Sequence, residues 1–215
     1  MEYSAASAPL HPGIEPEPPG WQPRALWLNA RLLCASISFF FISFVFAYFY
    51  LRSLDPNKDW KIAQKVGHVG GPIGWGTAVM VLFVLSAVVF RLGRGRAART
   101  MITSFAALGL GLVAVILQCI EYTTLRWGPT SGGYASVFVG WTTLYTVFAL
   151  LGLIWVEMQA ASLWRVRREG VRRAVREGVP AHDEALIQAG IEAASFYWAY
   201  FVGIGFLTWV ILYLL

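Results

Sequence analysis

Charged residues divide this sequence into five long stretches that carry no charge. These stretches cover 32–51, 66–90, 100–120, 127–156 and 193–215. A helix needs about 20 largely apolar residues to cross the hydrocarbon core of a bilayer. One such stretch could be the buried core helix of a soluble protein, but five of this length could not. We therefore predict five transmembrane helices, at about 29–52, 73–92, 98–124, 134–164 and 188–215.

The apolar runs do not have the pattern of membrane-spanning strands. Such strands alternate apolar and polar residues, whereas Phe39–Ile42 and Val79–Leu82 are apolar throughout. Helices are then the spanning structure that satisfies the backbone. The predicted fold class is an all-α polytopic membrane protein, with a Pro-rich tail at 1–28 and a five-helix transmembrane domain at 29–215. The tail lacks the charged and apolar segments of a signal peptide, so we expect it to be extended or disordered.

Composition and charge narrow the function classes. Only 13% of residues are charged and 57% are hydrophobic, against about 25% charged in soluble domains. This balance excludes an ordinary soluble domain, and it argues against nucleic-acid binding despite the net charge of +5. Twelve basic residues lie before the first span or in the second and fourth connections, and five lie in the other two connections. The positive-inside rule then predicts a cytoplasmic N-terminus and an external C-terminus.

Histidine and cysteine are scarce and poorly placed for redox chemistry. His11, His68 and His182 all lie outside the predicted spans, and no two are spaced to share a metal. Haem and copper centres inside membranes are held by histidines within the spans. Cys34 and Cys119 provide neither a disulfide framework nor a Cys-based metal site. The sequence therefore predicts no catalytic centre and no haem or copper in this chain.

Acidic residues near or within the spans are the remaining functional candidates, because a charge at bilayer depth is costly. Glu121 lies about one helical turn before the end of the third span, with Gln118 on the same face and Tyr122 next to it. It either forms a polar contact with a neighbouring helix, a lipid or a proton path, or it reaches water at the membrane surface. Glu192 opens the fifth span, where an acid complements the helix dipole.

Four sequence blocks resemble the haem-copper oxidase subunit III family, in family order. ASISFFFISFVFAYFYLRS (35–53) resembles A-S-E-x-x-F-F-x-x-x-F-x-A-Y-F-x-L-R, and LQCIEY (117–122) resembles Q-x-x-E-Y. GGYASVFVGWTTLY (132–145) resembles Y-G-S-x-F-F-x-x-T-G-F-H, and EAASFYWAYFV (192–202) resembles E-A-x-x-x-Y-W-H-F-V-D. The blocks lie on the first, third, fourth and fifth predicted spans.

The resemblance implies a five-helix, non-catalytic subunit III of a bacterial terminal oxidase, multi-pass in the plasma membrane. Such a subunit packs on the catalytic subunit I, with subunit II also present, and binds phospholipid. Haem and copper belong to the partner subunits, and the accessory subunit supports proton uptake and the stability of the oxidase during turnover. The family's motif residues that carry over are Gln118, Glu121, Tyr122, Glu192, Tyr197 and Trp198, and these are the predicted lipid or subunit contacts.

The sequence also departs from the family pattern. Ile37 stands where the family usually has a buried Glu, and Ala199 where it has a His. These departures favour a structural or lipid-organising role over proton uptake. They also leave two alternatives open: the related accessory subunit of a nitric-oxide reductase or quinol oxidase, and a small transporter. The electron donor, cytochrome c or quinol, is not encoded in this chain.

Overall fold

Five long helices make up almost all of the described chain. The computed structural model describes residues 21–54, 60, 73–93, 97–176 and 184–215, with the side chains of all but a few residues near three of the helix ends. The helices are α1 Trp21–Ser53, α2 Ile73–Leu92, α3 Ala97–Thr124, α4 Gly133–Arg176 and α5 Glu184–Trp209. A 3-10 turn, Pro129–Ser131, precedes α4, and α5 continues into a π-helical turn, Val210–Leu214.

Each of the five helices is long and apolar enough to cross a membrane. The predicted fold class, an all-α protein with five spans, is therefore confirmed for the described residues, and the chain is a multi-pass membrane protein. The segment 1–20 and the three histidines, which figured in the predictions, lie outside the described residues.

Three helices extend beyond their predicted bounds, and one of them, α5, does so at its start, which is Glu184 rather than near 188. α1 begins at Trp21 rather than near 29, and Pro23 falls in its first turn, where the backbone nitrogen has no intrahelical acceptor to lose. α4 runs to Arg176 rather than ending near 164. Its 44 residues correspond to about 66 Å, roughly twice the hydrocarbon thickness. The charged sequence after Trp164 stops the apolar pattern but does not stop the helix.

The helices pack so that α1, α3 and α5 end where α2 and α4 begin. We call this end of the bundle the Glu121 end, and the opposite end the Arg99 end. At the Arg99 end, Thr100 Oγ1 donates to the Gly93 carbonyl (2.6 Å) across the short α2–α3 connection. α5 contacts α1, α2 and α4, while α1 packs on α4 and α5.

The core of the bundle is built around α5. Trp198 and Phe201 are fully buried and lie against Phe83 of α2. A second cluster at the Glu121 end is largely aromatic; its buried members are Tyr48, Tyr134, Val137, Phe138, Trp141 and Leu212. Large apolar side chains also cover the outside of all five helices, as expected for surfaces that face lipid.

Glycines allow close helix contact at only some of their positions in the spans. A Cβ on Gly205 of α5 would come within 2.0 Å of the Tyr145 hydroxyl of α4, and one on Gly111 within 2.4 Å of Leu153. Gly109 and Gly203 have nothing within 4 Å of the same position. Two of these four glycines therefore serve helix contact, and the other two face outward.

We predict that Gly205→Ala destabilises the protein and that Gly203→Ala does not. The Tyr145 ring stacks on Phe201 at 4.3 Å, so it cannot move aside without disturbing the core. Overpacking of this kind costs about 1–3 kcal/mol. Both variants gain the same helix propensity, so the difference between their thermal unfolding midpoints in detergent isolates the contact. Equal midpoints would contradict close packing of α4 against α5 at Gly205.

Candidate functional site: a buried carboxylate between α3 and α5

The carboxylate of Glu121 lies inside the protein, near one end of the bundle. Its residue is 0% exposed, so the interpretation that it reaches water at the membrane surface is wrong. Gln118 Nε2, one turn earlier on α3, donates to Glu121 Oε2 at 2.7 Å. This contact confirms that the two side chains share a helix face, as their spacing predicts.

The second partner of Glu121 comes from the other end of the sequence. Tyr213 Oη donates to Glu121 Oε1 at 2.7 Å, which joins α3 to the π-helical turn after α5. Both carboxylate oxygens therefore accept a hydrogen bond from a neutral donor. The described residues place no ion pair on Glu121, so these two bonds and the packing around them hold the carboxylate.

Local backbone structure brings Tyr213 to this position. The π-helical turn closes with a bond from the Leu215 N–H to the Val210 carbonyl (3.2 Å), and the Leu212 carbonyl accepts from Tyr134 Oη of α4 (2.7 Å). The Tyr213 ring then lies over Gly76 of α2, where a Cβ would come within 2.3 Å of it. Sequence reasoning missed Tyr213 because it lies outside every motif and 92 residues from Glu121.

Tyr122, the neighbour of Glu121, points to a different helix. Its hydroxyl is buried without a hydrogen-bond partner among the described residues and lies near the hydroxyls of Thr142, Thr143 and Thr146 on α4. Those two threonines donate to the Phe138 and Thr142 carbonyls of their own helix, at 2.6 and 2.8 Å. Together, Glu121 and Tyr122 connect the end of α3 to both α4 and α5.

A small cavity adjoins the Glu121 contacts. Its volume is about 30 Å³, which is enough for one water molecule but not for a substrate. Gln118, Thr142, Thr208 and Tyr213 contribute polar side chains to its lining. The described residues around Glu121 form interhelical hydrogen bonds, and they include no nucleophile paired with a base.

Trp198 and Tyr197 form a second group, near the middle of the bundle. Trp198 Nε1 donates to Ser86 Oγ (3.1 Å), and Ser86 Oγ donates to the Ala107 carbonyl (2.7 Å). This relay joins α5 to α2 and α3 through fully buried groups. Tyr197 lies on the neighbouring face, with Trp155 of α4 at 5.4 Å.

Glu192 is separate from both groups. It lies two turns into α5, is partly exposed, and accepts from Gln188 Nε2 at 3.3 Å within its own helix. The six predicted contact residues therefore occupy three places: the Glu121 end, the centre of the bundle and the third turn of α5. Because α5 begins at Glu184, Glu192 lies beyond the first turn, and the expectation that it complements the helix dipole is wrong. The structure brings Gln118 and Glu121 together, and it separates them from Glu192.

Comparison with protein-family models finds no match to this chain, and comparison with curated protein sequences finds no significant match. Among the described residues, no three His, Cys, Asp or Glu side chains come together as a metal site.

We predict that Tyr213→Phe destabilises the protein by about 1–3 kcal/mol, the usual cost of leaving a buried acceptor without its donor. The matched control is Tyr48→Phe. The Tyr48 hydroxyl is buried and has no hydrogen-bond partner among the described residues, so its removal should be neutral or stabilising. Thermal unfolding of the two variants in detergent measures the difference. Equal effects would contradict a stabilising bond between Tyr213 and Glu121.

Ser86→Ala should also destabilise the protein by about 1–3 kcal/mol, because it leaves the buried Trp198 N–H without an acceptor. Ser162→Ala is the control, since the exposed Ser162 hydroxyl bonds only to the Met158 carbonyl of its own helix. The intrinsic tryptophan fluorescence of the Ser86 variant is expected to change as well. A midpoint as high as that of the control would argue against the relay.

Proposed function

We propose that this chain is a non-catalytic subunit III of a bacterial haem-copper terminal oxidase. In this role it stabilises the catalytic subunit and organises lipid around it in the plasma membrane. The observation that carries the proposal is that the four sequence blocks resembling this family pack against one another in the bundle.

Contacts join the blocks in pairs, mostly through residues at variable or departing positions of the family patterns. Ser38 of the first block is hydrogen-bonded to Tyr200 of the fourth. Phe44 of the first block stacks on Trp141 of the third, with ring centroids 5.6 Å apart.

Two further contacts join the third block to the fourth and to the second. Tyr145 of the third block stacks on Phe201 of the fourth, and Tyr122 of the second lies beside Thr142 of the third. Blocks that are remote in sequence but meet in space constrain one another. Mutual packing of the four blocks is what a shared family fold requires, and in that sense it supports the proposal.

The chemistry of the described residues supports an accessory role. Glu121 and Trp198 are both engaged in hydrogen bonds between helices. Ile37, at the position where the family usually has a buried acid, is 4% exposed and packs in the apolar core. These side chains hold the bundle together, and the extensive apolar outer surface is available for lipid and for partner subunits.

The direct test is to purify the tagged chain in mild detergent from the membranes of its own cells. We expect it to bring with it a large polytopic partner that shows the absorption spectrum of haem. Copper should be present in the amount needed for both the catalytic subunit and a copper-binding subunit II. A preparation without haem and without such a partner would overturn the proposal.

The same preparation separates the alternatives. Haem without the copper-binding subunit would favour the accessory subunit of a nitric-oxide reductase or quinol oxidase. Solute-dependent uptake by proteoliposomes containing this chain alone would instead favour a transporter.

Removal of this chain should reduce the number of turnovers before the oxidase inactivates, while leaving its initial rate of oxygen reduction nearly unchanged. The resemblance implies that subunit III supports stability during turnover. We therefore predict that oxidase from cells lacking the chain begins oxygen reduction at near-normal rate per haem and then loses activity within fewer turnovers. Oxygen consumption followed to inactivation measures this, with the restored wild-type chain as control. Identical inactivation curves would contradict the proposed role.

A further inference from the structure

The outward side of α1 carries polar residues at a fixed spacing. Asn29, Ser36, Ser43 and Tyr50 are seven residues apart and all exposed. Between residues 29 and 50, the other exposed side chains are apolar or alanine, apart from Arg31, whose guanidinium lies 6.0 Å from the Trp27 ring. Ser36 and Ser43 donate to the Leu32 and Phe39 carbonyls of their own helix, at 3.0 and 2.9 Å, which leaves their oxygen atoms as acceptors on the outward surface.

Large apolar side chains fill the intervening positions of this pattern. Leu32, Phe39 and Phe46 each follow a polar residue by three, and Phe39 and Phe46 are 71% and 68% exposed. Alternating spacings of three and four residues define the contact face of two helices that pack side by side. We call these seven residues the α1 seam: Asn29, Leu32, Ser36, Phe39, Ser43, Phe46 and Tyr50.

The α1 seam lies opposite the side of the helix that holds α1 to the bundle. The buried residues of α1 are Ala30, Cys34, Ile37 and Tyr48, which fall on the other half of the helix circumference. α1 also buries the smallest share of its residues among the five helices, 17% against 33% to 44%. A helix docked on the seam would leave the internal packing of the chain unchanged.

We propose that the α1 seam binds the α1 seam of a second copy of this chain, in parallel and in register. Two copies in one membrane have the same orientation, so their α1 helices can only run parallel when they pack side by side. Each polar residue then meets its own counterpart across a two-fold axis. Amide and phenol groups both donate and accept hydrogen bonds, so Asn29 and Tyr50 are each complementary to themselves. Ser36 and Ser43, whose hydroxyls donate within α1, contribute small side chains that let the two helices approach closely.

Charge and shape around the seam fit this occupant. Arg24, Arg31 and Arg52 lie about 160° around the helix from its polar line, so like charges do not face each other in the dimer. The seam also borders a cleft of about 430 Å³ between α1 and α4, lined in part by Asn29 and Trp155. Side chains from the second copy would fill this cleft. The proposal does not depend on the proposed function.

Cysteine cross-linking in native membranes tests the register directly. In the full chain carrying Cys34→Ala and Cys119→Ser, a single Ser36→Cys or Ser43→Cys should form a disulfide-linked dimer under mild oxidation. The Cα atoms of a disulfide lie about 4–7 Å apart, as equivalent residues on the seam would. The matched controls are Ala35→Cys and Ile42→Cys, which are exposed at the same depth but turned about 100° away.

Dimers at positions 36 and 43, with little or none at 35 and 42, would support the proposal. Equal yields at all four positions would indicate random collision of lipid-facing residues and overturn it. Cross-links to a product of another mass would identify a different protein as the occupant, and no cross-links would leave the seam to lipid; either outcome overturns it too. As a check independent of the cysteine variants, two differently tagged wild-type copies should co-purify.

Discussion

The hydrocarbon interior of a membrane offers no water, so a polar group in a span is costly unless it finds a partner within the protein, and the helix packing of this structure depends on that constraint. Most serine and threonine side chains meet it locally. Thr142 and Ser104, for example, donate to the carbonyl four residues earlier in their own helix. A few groups meet it across helices instead, as in the bonds from Trp198 to Ser86 and from Tyr213 to Glu121. These cross-helix bonds fix the axial position of each helix relative to its neighbours. Apolar packing alone allows several such positions of similar energy.

The two ends of the bundle are held in different ways. At the Arg99 end, α2 and α3 are joined by a short connection in which Thr100 bonds to Gly93. At the Glu121 end, the helix termini are tied together by side chains from distant parts of the sequence, with Tyr134 bonded to the Leu212 carbonyl and Tyr213 to Glu121. In the proposed accessory role, such a frame would set the shape of the outer surface that meets a partner. The buried acid is then best understood as part of the frame that presents this surface.

The sequence predicts the five spans well, because the absence of charge over 20 or more residues is a direct physical requirement for crossing a bilayer. Helix ends outside the bilayer are predicted less well, since the charged residues that end an apolar stretch do not end a helix, as α4 shows. Only one of the two hydrogen-bond partners of Glu121 can be predicted from the sequence. Local spacing pairs Gln118 with Glu121, whereas Tyr213 is placed by a π-helical turn and by the open space above Gly76, which depend on tertiary packing. The same limit applies to the glycines: only neighbouring helices decide that Gly205 is a contact and Gly203 is not.

The position of α1 has a consequence for how the protein is made. α1 is synthesised before α4 and α5, the two helices on which it packs. It must therefore remain in the bilayer without its tertiary contacts while most of the chain is still being inserted. During that interval Ser38, whose partner Tyr200 is on α5, relies on its bond to the Cys34 carbonyl (2.7 Å). The contacts of α1 with the bundle can therefore form only after α4 and α5 have been inserted.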